Sequence, residues 1–222
     1  MQYRWKPLGF HRYLHNRTKG FFIHITVNCE TNDDLELFLE CCNKNNIKPI
    51  IIQLSNGENN KQVMTSSFIT GVYKDVILTK TKDTVNRLFD NTRLKDKIVR
   101  VKIESLARNT GVPILENKEE DKYFEFHYKI VIKSNIEYDF IKRFVKNYDA
   151  RISSNAFKHN NENSVKHYFI TKRVHNAGQE YAMQQHELLK EALSTNGFTP
   201  LKTEAEFVVF DSNYNLDKGW TI

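Results

Sequence analysis

The stretch Phe21-Phe22-Ile23-His24-Ile25-Thr26-Val27 has a counterpart in the second half of the chain, Phe124-Glu125-Phe126-His127-Tyr128-Lys129-Ile130. Apolar side chains recur at every second position in both, the period of a strand with one buried face. Each stretch is followed by an amphipathic segment. In the first half Thr31 and Asn32 are good N-cap types, Asp33 and Asp34 suit a first turn, and Leu35, Phe38, Leu39 and Cys42 fall at helical spacing. In the second half Ser134 and Asn135 lead into Ile136, Phe140, Phe144, Val145 and Tyr148 at the same period.

The correspondence continues. Lys48 to Leu54 and Ala150 to Lys158 read as strands, each closed by a polar turn, Ser55-Asn56-Gly57 and Asn160-Asn161-Glu162-Asn163. The next strands share a tripeptide, Phe68-Ile69-Thr70 against Phe169-Ile170-Thr171. Helices follow over roughly 75–92 and 178–196, the second ended by Gly197. The last strands, 98–104 and 200–206, share Lys-x-Glu. The pattern predicts an α+β fold. It is a tandem duplication of a ferredoxin-like βαββαβ unit, with antiparallel sheets and helices on one face. The boundaries are a basic, aromatic arm (1–18), a first copy (19–107), a linker (108–121), a second copy (122–210) and a tail (211–222).

Alternation then sorts the candidate site. Phe21, Ile23, Ile25 and Val27 must cover helices, which leaves His24 and Thr26 on the other face; Glu125, His127 and Lys129 match them in the second half. With the first strand of each unit between the third and fourth, His127 and Lys129 gain Lys202, Glu204 and Glu206 on one side. On the other they gain His167, Thr171 and Arg173, with Ser153 and Asn155 at the edge. The first half offers Ser66, Thr70, Lys102 and Glu104. This polar face is expected to be the open face of a sheet. Arg and Lys suit phosphate oxygens, His moves protons near neutrality, and a neighbouring carboxylate orients it. The expected roles are catalysis by His24, His127 and Glu204, and ligand binding by Thr26, Lys102, Lys129, Asn155, Thr171, Arg173 and Lys202. Lys-Glu pairs on a wet sheet face would stabilise without any ligand.

The 222 residues carry a formal net charge of +6, which permits an anionic partner. The 3 cysteines, Cys29, Cys41 and Cys42, lack the spacing of a zinc site or a disulfide framework, so they read as buried thiols in a reducing compartment. No apolar run approaches the ~20 residues of a membrane helix, and the first residues lack a signal-peptide apolar core. The expectation is an intracellular chain without cofactor, metal or membrane. The arm mixes Arg4, Lys6, Arg12 and Arg17 with Tyr3, Trp5 and Phe10, a composition that suits single strands but also packing on the domain. Asp211-Ser212-Asn213 reads as a turn and Trp220 as an anchor for the end.

Tyr123-Phe124-Glu125, His127, Lys129, Ser154-Asn155-Ala156, Glu206-Phe207-Val208-Val209, Asp211-Ser212-Asn213, Leu216-Asp217 and Gly219-Trp220 resemble a family of uncharacterised proteins of bacteria and large viruses. That resemblance implies an intact unit and no reaction. His24-Ile25-Thr26 is similar to the His-x-Thr/Ser motif that the 2H phosphoesterases pair across a cleft, while His127-Tyr128-Lys129 departs from it. That similarity implies a phosphoesterase-like hydrolase with two histidines in one site. Three functions follow for test: a protein that binds or hydrolyses a phosphate-bearing ligand such as a nucleotide or RNA end, a nucleic-acid-binding protein, and an interaction module without a ligand.

Overall fold

The computed structural model describes residues 19–55, 60–71, 74–116, 122–155 and 166–220. The expected Asn160–Asn163 turn, the basic arm and part of the linker lie outside them. The elements are β1 (Lys19–Val27), α1 (Asn32–Lys44), β2 (Lys48–Leu54), β3 (Lys61–Gly71), α2 (Lys74–Phe89) and β4 (Ile98–Leu106). In the second half they are β5 (Phe124–Ile132), α3 (Asn135–Phe144), β6 (Ala150–Asn155), β7 (Lys166–Val174), α4 (Gln179–Thr195) and β8 (Lys202–Asp211). The chain is thus α+β, with each half in the order βαββαβ.

Local sequence accounts for the helix starts. Thr31 Oγ1 accepts from the Asp34 amide at 3.1 Å, and Asp34 Oδ2 accepts from the Thr31 amide at 3.4 Å, a reciprocal cap. Asp34 also takes Lys97 Nζ at 2.6 Å and Arg93 Nε at 2.9 Å, which hold its carboxyl well below the usual range. Thr31→Ala is expected to lower stability by about 1 kcal/mol, read as a shift of the urea midpoint; an unchanged midpoint would show the cap idle. Ser134 caps α3 through the Glu137 amide at 3.2 Å, and Gly197, at φ +84°, follows α4.

All strand pairs are antiparallel, and the sheet closes on itself in the order β1-β3-β2-β6-β7-β5-β8-β4. Within each half the first strand lies between the third and fourth, as expected. The halves are sewn together along two seams. One is β2 on β6, with Leu54 opposite Ser153; the other is β4 on β8, with Lys102 opposite Asp211. β8 therefore runs to Asp211, beyond the expected end at Glu206, because β4 supplies a second partner there.

Outward positions build the core. Phe21, Ile23, Ile25 and Val27 join Phe38, Cys42, Ile77, Leu88 and Phe89 in one apolar cluster with Phe124, Phe126, Tyr128, Ile130, Ile141, Leu189 and Leu193. His186 of α4 is buried here, stacked on Phe126 with ring centroids 4.8 Å apart and bonded to the Tyr128 hydroxyl at 2.8 Å. The three cysteines are free; burial pushes the Cys29 thiol up to about 11 and the Cys42 thiol to about 12. Among the described residues no helix is long and apolar enough to cross a membrane.

The closure corrects one expectation. The His-bearing faces are not an open sheet surface: the four edges that would have been free, β2, β4, β6 and β8, pair with one another, and the two polar faces become the lining of one barrel. The flat platform on which a sheet reads RNA is absent among the described residues.

Candidate functional site

Successive strands β1, β4, β8 and β5 are antiparallel, so β1 and β5 run in opposite directions around the barrel. The start of β1 and the end of β5 therefore share one end. The C-terminal segment occupies the other. A short 3-10 turn, Tyr214–Asp217, brings Asp217 inside, where its carboxylate accepts from Arg100 Nη1 at 2.8 Å, Arg173 Nη2 at 2.5 Å and Gln62 Nε2 at 2.6 Å. Arg100 forms a two-toothed pair with Asp211, through Nε at 2.9 Å and a second short bond from Nη2. Tyr123 donates to Asp211 at 3.1 Å and lies 4.7 Å beneath the Arg173 guanidinium. Trp220 is buried and its indole N–H reaches the Ile152 carbonyl. Asp211 does cap a turn, through the Asn213 amide at 3.1 Å, but its larger role is this pair with Arg100.

Deeper inside, a chain of ion pairs joins the two histidines. His24 Nε2 meets Glu104 at 2.9 Å, Lys102 Nζ bridges Glu104 at 2.5 Å and Glu125 at 2.6 Å, and Glu125 meets His127 Nε2 at 3.2 Å. Arg173 Nε adds a 2.6 Å bond to Glu125. The other ring nitrogens are fixed too, His24 Nδ1 to the Thr65 carbonyl at 3.1 Å and His127 Nδ1 to Thr171 Oγ1 at 2.9 Å. Burial would raise the Glu104 and Glu125 carboxyls, yet the cations around them win. Glu104 is held down at about 2 by Lys102 and His24, and Glu125 well below the usual range by Lys102 and Arg173. Burial works against the His127 cation, and the Glu125 bond overrides it, lifting the ring to about 9.

Glu206 differs from these. Burial first, and then the charge of Glu104, push its carboxyl up to about 8. Its one ion-pair partner among the described residues is His127 Nε2, at 3.7 Å. At neutral pH the site thus holds a protonated carboxyl beside an imidazolium, two proton donors at one place. Side-chain exposures of 16% for His24, 12% for Lys102 and 24% for His127 leave this layer in touch with solvent.

The end away from Asp217 carries inward-facing Phe22 and Phe68, cross-strand partners on β1 and β3, and Lys129 and Lys202, cross-strand partners on β5 and β8. Lys202 pairs with Glu204 at 2.5 Å, both largely exposed.

The expected residues fall into three groups. His24, His127, Lys102, Thr171 and Arg173 converge in the interior, with Arg173 wholly occupied by carboxylates and ring contact. Lys129, Lys202 and Glu204 stand at the rim. Thr26 is buried beside Arg100 on the neighbouring strand, and Asn155 is placed by register opposite Ile52. Glu204 lies opposite His127 across the β5–β8 pair, but its bond goes to Lys202; the carboxylates at His127 are Glu125 and Glu206. The shared Lys-x-Glu misleads here. His24 pairs with Lys102 and His127 with Glu204, so Glu104 corresponds to Glu206. The shared Phe-Ile-Thr is likewise offset, since Phe68 pairs with Phe22 while Phe169 pairs with Lys129. Among the described residues no group of three His, Cys, Asp or Glu side chains is placed to hold a metal ion.

No family model and no curated protein matches the chain. Among solved structures it is similar to the small subunit of acetolactate synthase from Thermotoga maritima, at 10% identity and a TM-score of 0.29, over 86% of this chain and 95% of that one. A protein of unknown function from Galdieria sulphuraria gives 10% identity and a TM-score of 0.27 over 87% of this chain and 100% of that one. Likenesses this faint carry no argument about activity.

Proposed function

We propose that the chain binds a phosphate-bearing small molecule at the rim of the barrel, with the histidine and Glu206 layer beneath it. The observation that carries this reading is the Lys129–Lys202 pair. Two lysines directly opposite each other on neighbouring strands repel, and the carboxylate beside them, Glu204, pairs with Lys202. Lys129 has no ion-pair partner among the described residues. A phosphate between the two ammonium groups would remove the repulsion and supply the missing acceptors. The buried cations are no rivals for this role, because Arg100, Lys102 and Arg173 are already neutralised by Glu104, Glu125, Asp211 and Asp217.

The layer below supports turnover of a phosphate ester. Glu206 or His127 would give a proton to the leaving oxygen and regain one from the attacking water, so that ester and water become alcohol and phosphate. Thr171 holds the His127 ring in place. The common element order, the common strand order and the matched inward histidines support a tandem duplication of a ferredoxin-like unit as the origin of this paired site. The free thiols, with Cys41 and Cys42 buried and Cys29 half-buried, suit a reducing, intracellular setting.

Isothermal titration with inorganic phosphate and ribose 5-phosphate tests the reading. Lys129→Ala is expected to weaken binding by about tenfold or more, the usual worth of a charge-assisted hydrogen bond, and added salt should weaken the parent. An absence of binding, or affinity untouched in Lys129→Ala, overturns it.

A further inference from the structure

Across the barrel mouth from the lysines the rim is apolar. Phe22 and Phe68 hold their ring centroids 5.1 Å apart at 58°. Leu106 joins them, facing inward because it pairs with Glu206 on β8, and is 49% exposed. Phe68 is 57% exposed, although its ring is braced: its outer end lies over Gly20, where an added Cβ would come within 2.1 Å of the ring. The rim thus offers a supported aromatic ring with much of its surface in water, and a pair of lysines on the facing wall.

We propose, resting on the phosphate reading above, that the ligand is a nucleotide whose base stacks on Phe68 while its phosphate meets Lys129 and Lys202. Every base has a π-face, so an aromatic platform serves it well, whereas a sugar phosphate or inorganic phosphate gains nothing from Phe68. A flat base also covers apolar surface that the barrel otherwise leaves in water. Gly20 is required because any side chain there would drive the Phe68 ring off its seat.

The test compares adenosine 5′-monophosphate, ribose 5-phosphate and adenosine by calorimetry on the full chain. The nucleotide is expected to bind about tenfold or more tightly than ribose 5-phosphate, as one stacked base allows. Phe68→Ala should erase that advantage and leave ribose 5-phosphate binding as it was, while Phe68→Trp should keep it. Equal affinities for the two phosphates, or an advantage that survives Phe68→Ala, overturns the base platform and leaves the phosphate site standing. Failure of both phosphates to bind overturns the phosphate site itself. Concentration-dependent dimerisation abolished by Phe68→Ala would assign the patch to a second copy of the chain and overturn the nucleotide. Phe68 is exposed, so its variants should fold, and a circular dichroism melt run alongside checks this.

Discussion

Arg100→Ala is expected to destabilise the protein by about 3–5 kcal/mol, the cost of stripping one partner from a buried charge network. Arg100 is 3% exposed, and its guanidinium holds two carboxylates, Asp211 at the end of β8 and Asp217 in the C-terminal turn. Removing it leaves Asp211 with the Tyr123 hydroxyl and the Asn213 amide, and Asp217 with Arg173 and Gln62. Neither can recruit water cheaply at that depth. The loss should appear in urea denaturation as a lower midpoint with an unchanged slope. A loss below about 1 kcal/mol, the worth of an exposed pair, would mean that the tail end of the barrel is wet and the network weakly coupled.

Stability should be greatest at about pH 5–6 and fall as the solution turns alkaline, and Glu206→Gln should remove much of that fall. Glu206 folds with its carboxyl raised from an ordinary 4.5 to about 8, so the folded chain keeps a proton that the unfolded chain has lost. Stability therefore declines as pH climbs through this window. His127, raised from 6.5 to about 9, acts in the same direction: its contribution is complete below 6.5 and gone above 9. Glu104 and Asp217, each lowered to about 2, contribute above their unfolded values and lose that contribution as pH falls toward 2. Burial lowers His175 and His186, which penalises folding below 6.5 and trims the acid side further. Denaturation midpoints from pH 4 to 9 for the parent and Glu206→Gln should converge at pH 4, part progressively between pH 4.5 and about 8 and keep a constant gap above that, the variant being the more stable there. Parallel curves across the range would show that Glu206 ionises as an ordinary surface carboxyl.

The strands and helices were legible because each is written locally. Alternation marks β1 and β5, apolar residues at helical spacing mark α1 and α3, and Thr31 and Ser134 announce their starts. Closure was not legible, since it depends on edges separated by much of the chain meeting in register, Ile52 with Asn155 and Lys102 with Asp211. A hint existed: Arg100, Lys102, Glu104, Glu125, Arg173 and Glu206 share inward faces with nearly balanced sign, denser than a wet sheet face requires. The histidines and Lys102 were found by parity alone. Glu206 was passed over for Glu204 because matching Lys-x-Glu by sequence shifts the second half by two residues relative to the pairing of His24 and His127. Asp217 stands in a tail with no local pattern of its own, and nothing there says that it will be folded into a barrel end.

The two seams have a consequence for how the protein is made. Neither half is self-sufficient. Arg100 must wait for Asp211 and Asp217, Lys102 for Glu125, and β2 and β4 for β6 and β8. While the ribosome is still building the second half, the first has two bare strand edges and unmatched charges on the face that will later be sealed. Its helices can form against β1, but the commitment to a native state belongs to the whole translated chain. Severed halves should therefore be sticky apart and complement one another when mixed, each acting as the template on which the other finishes folding.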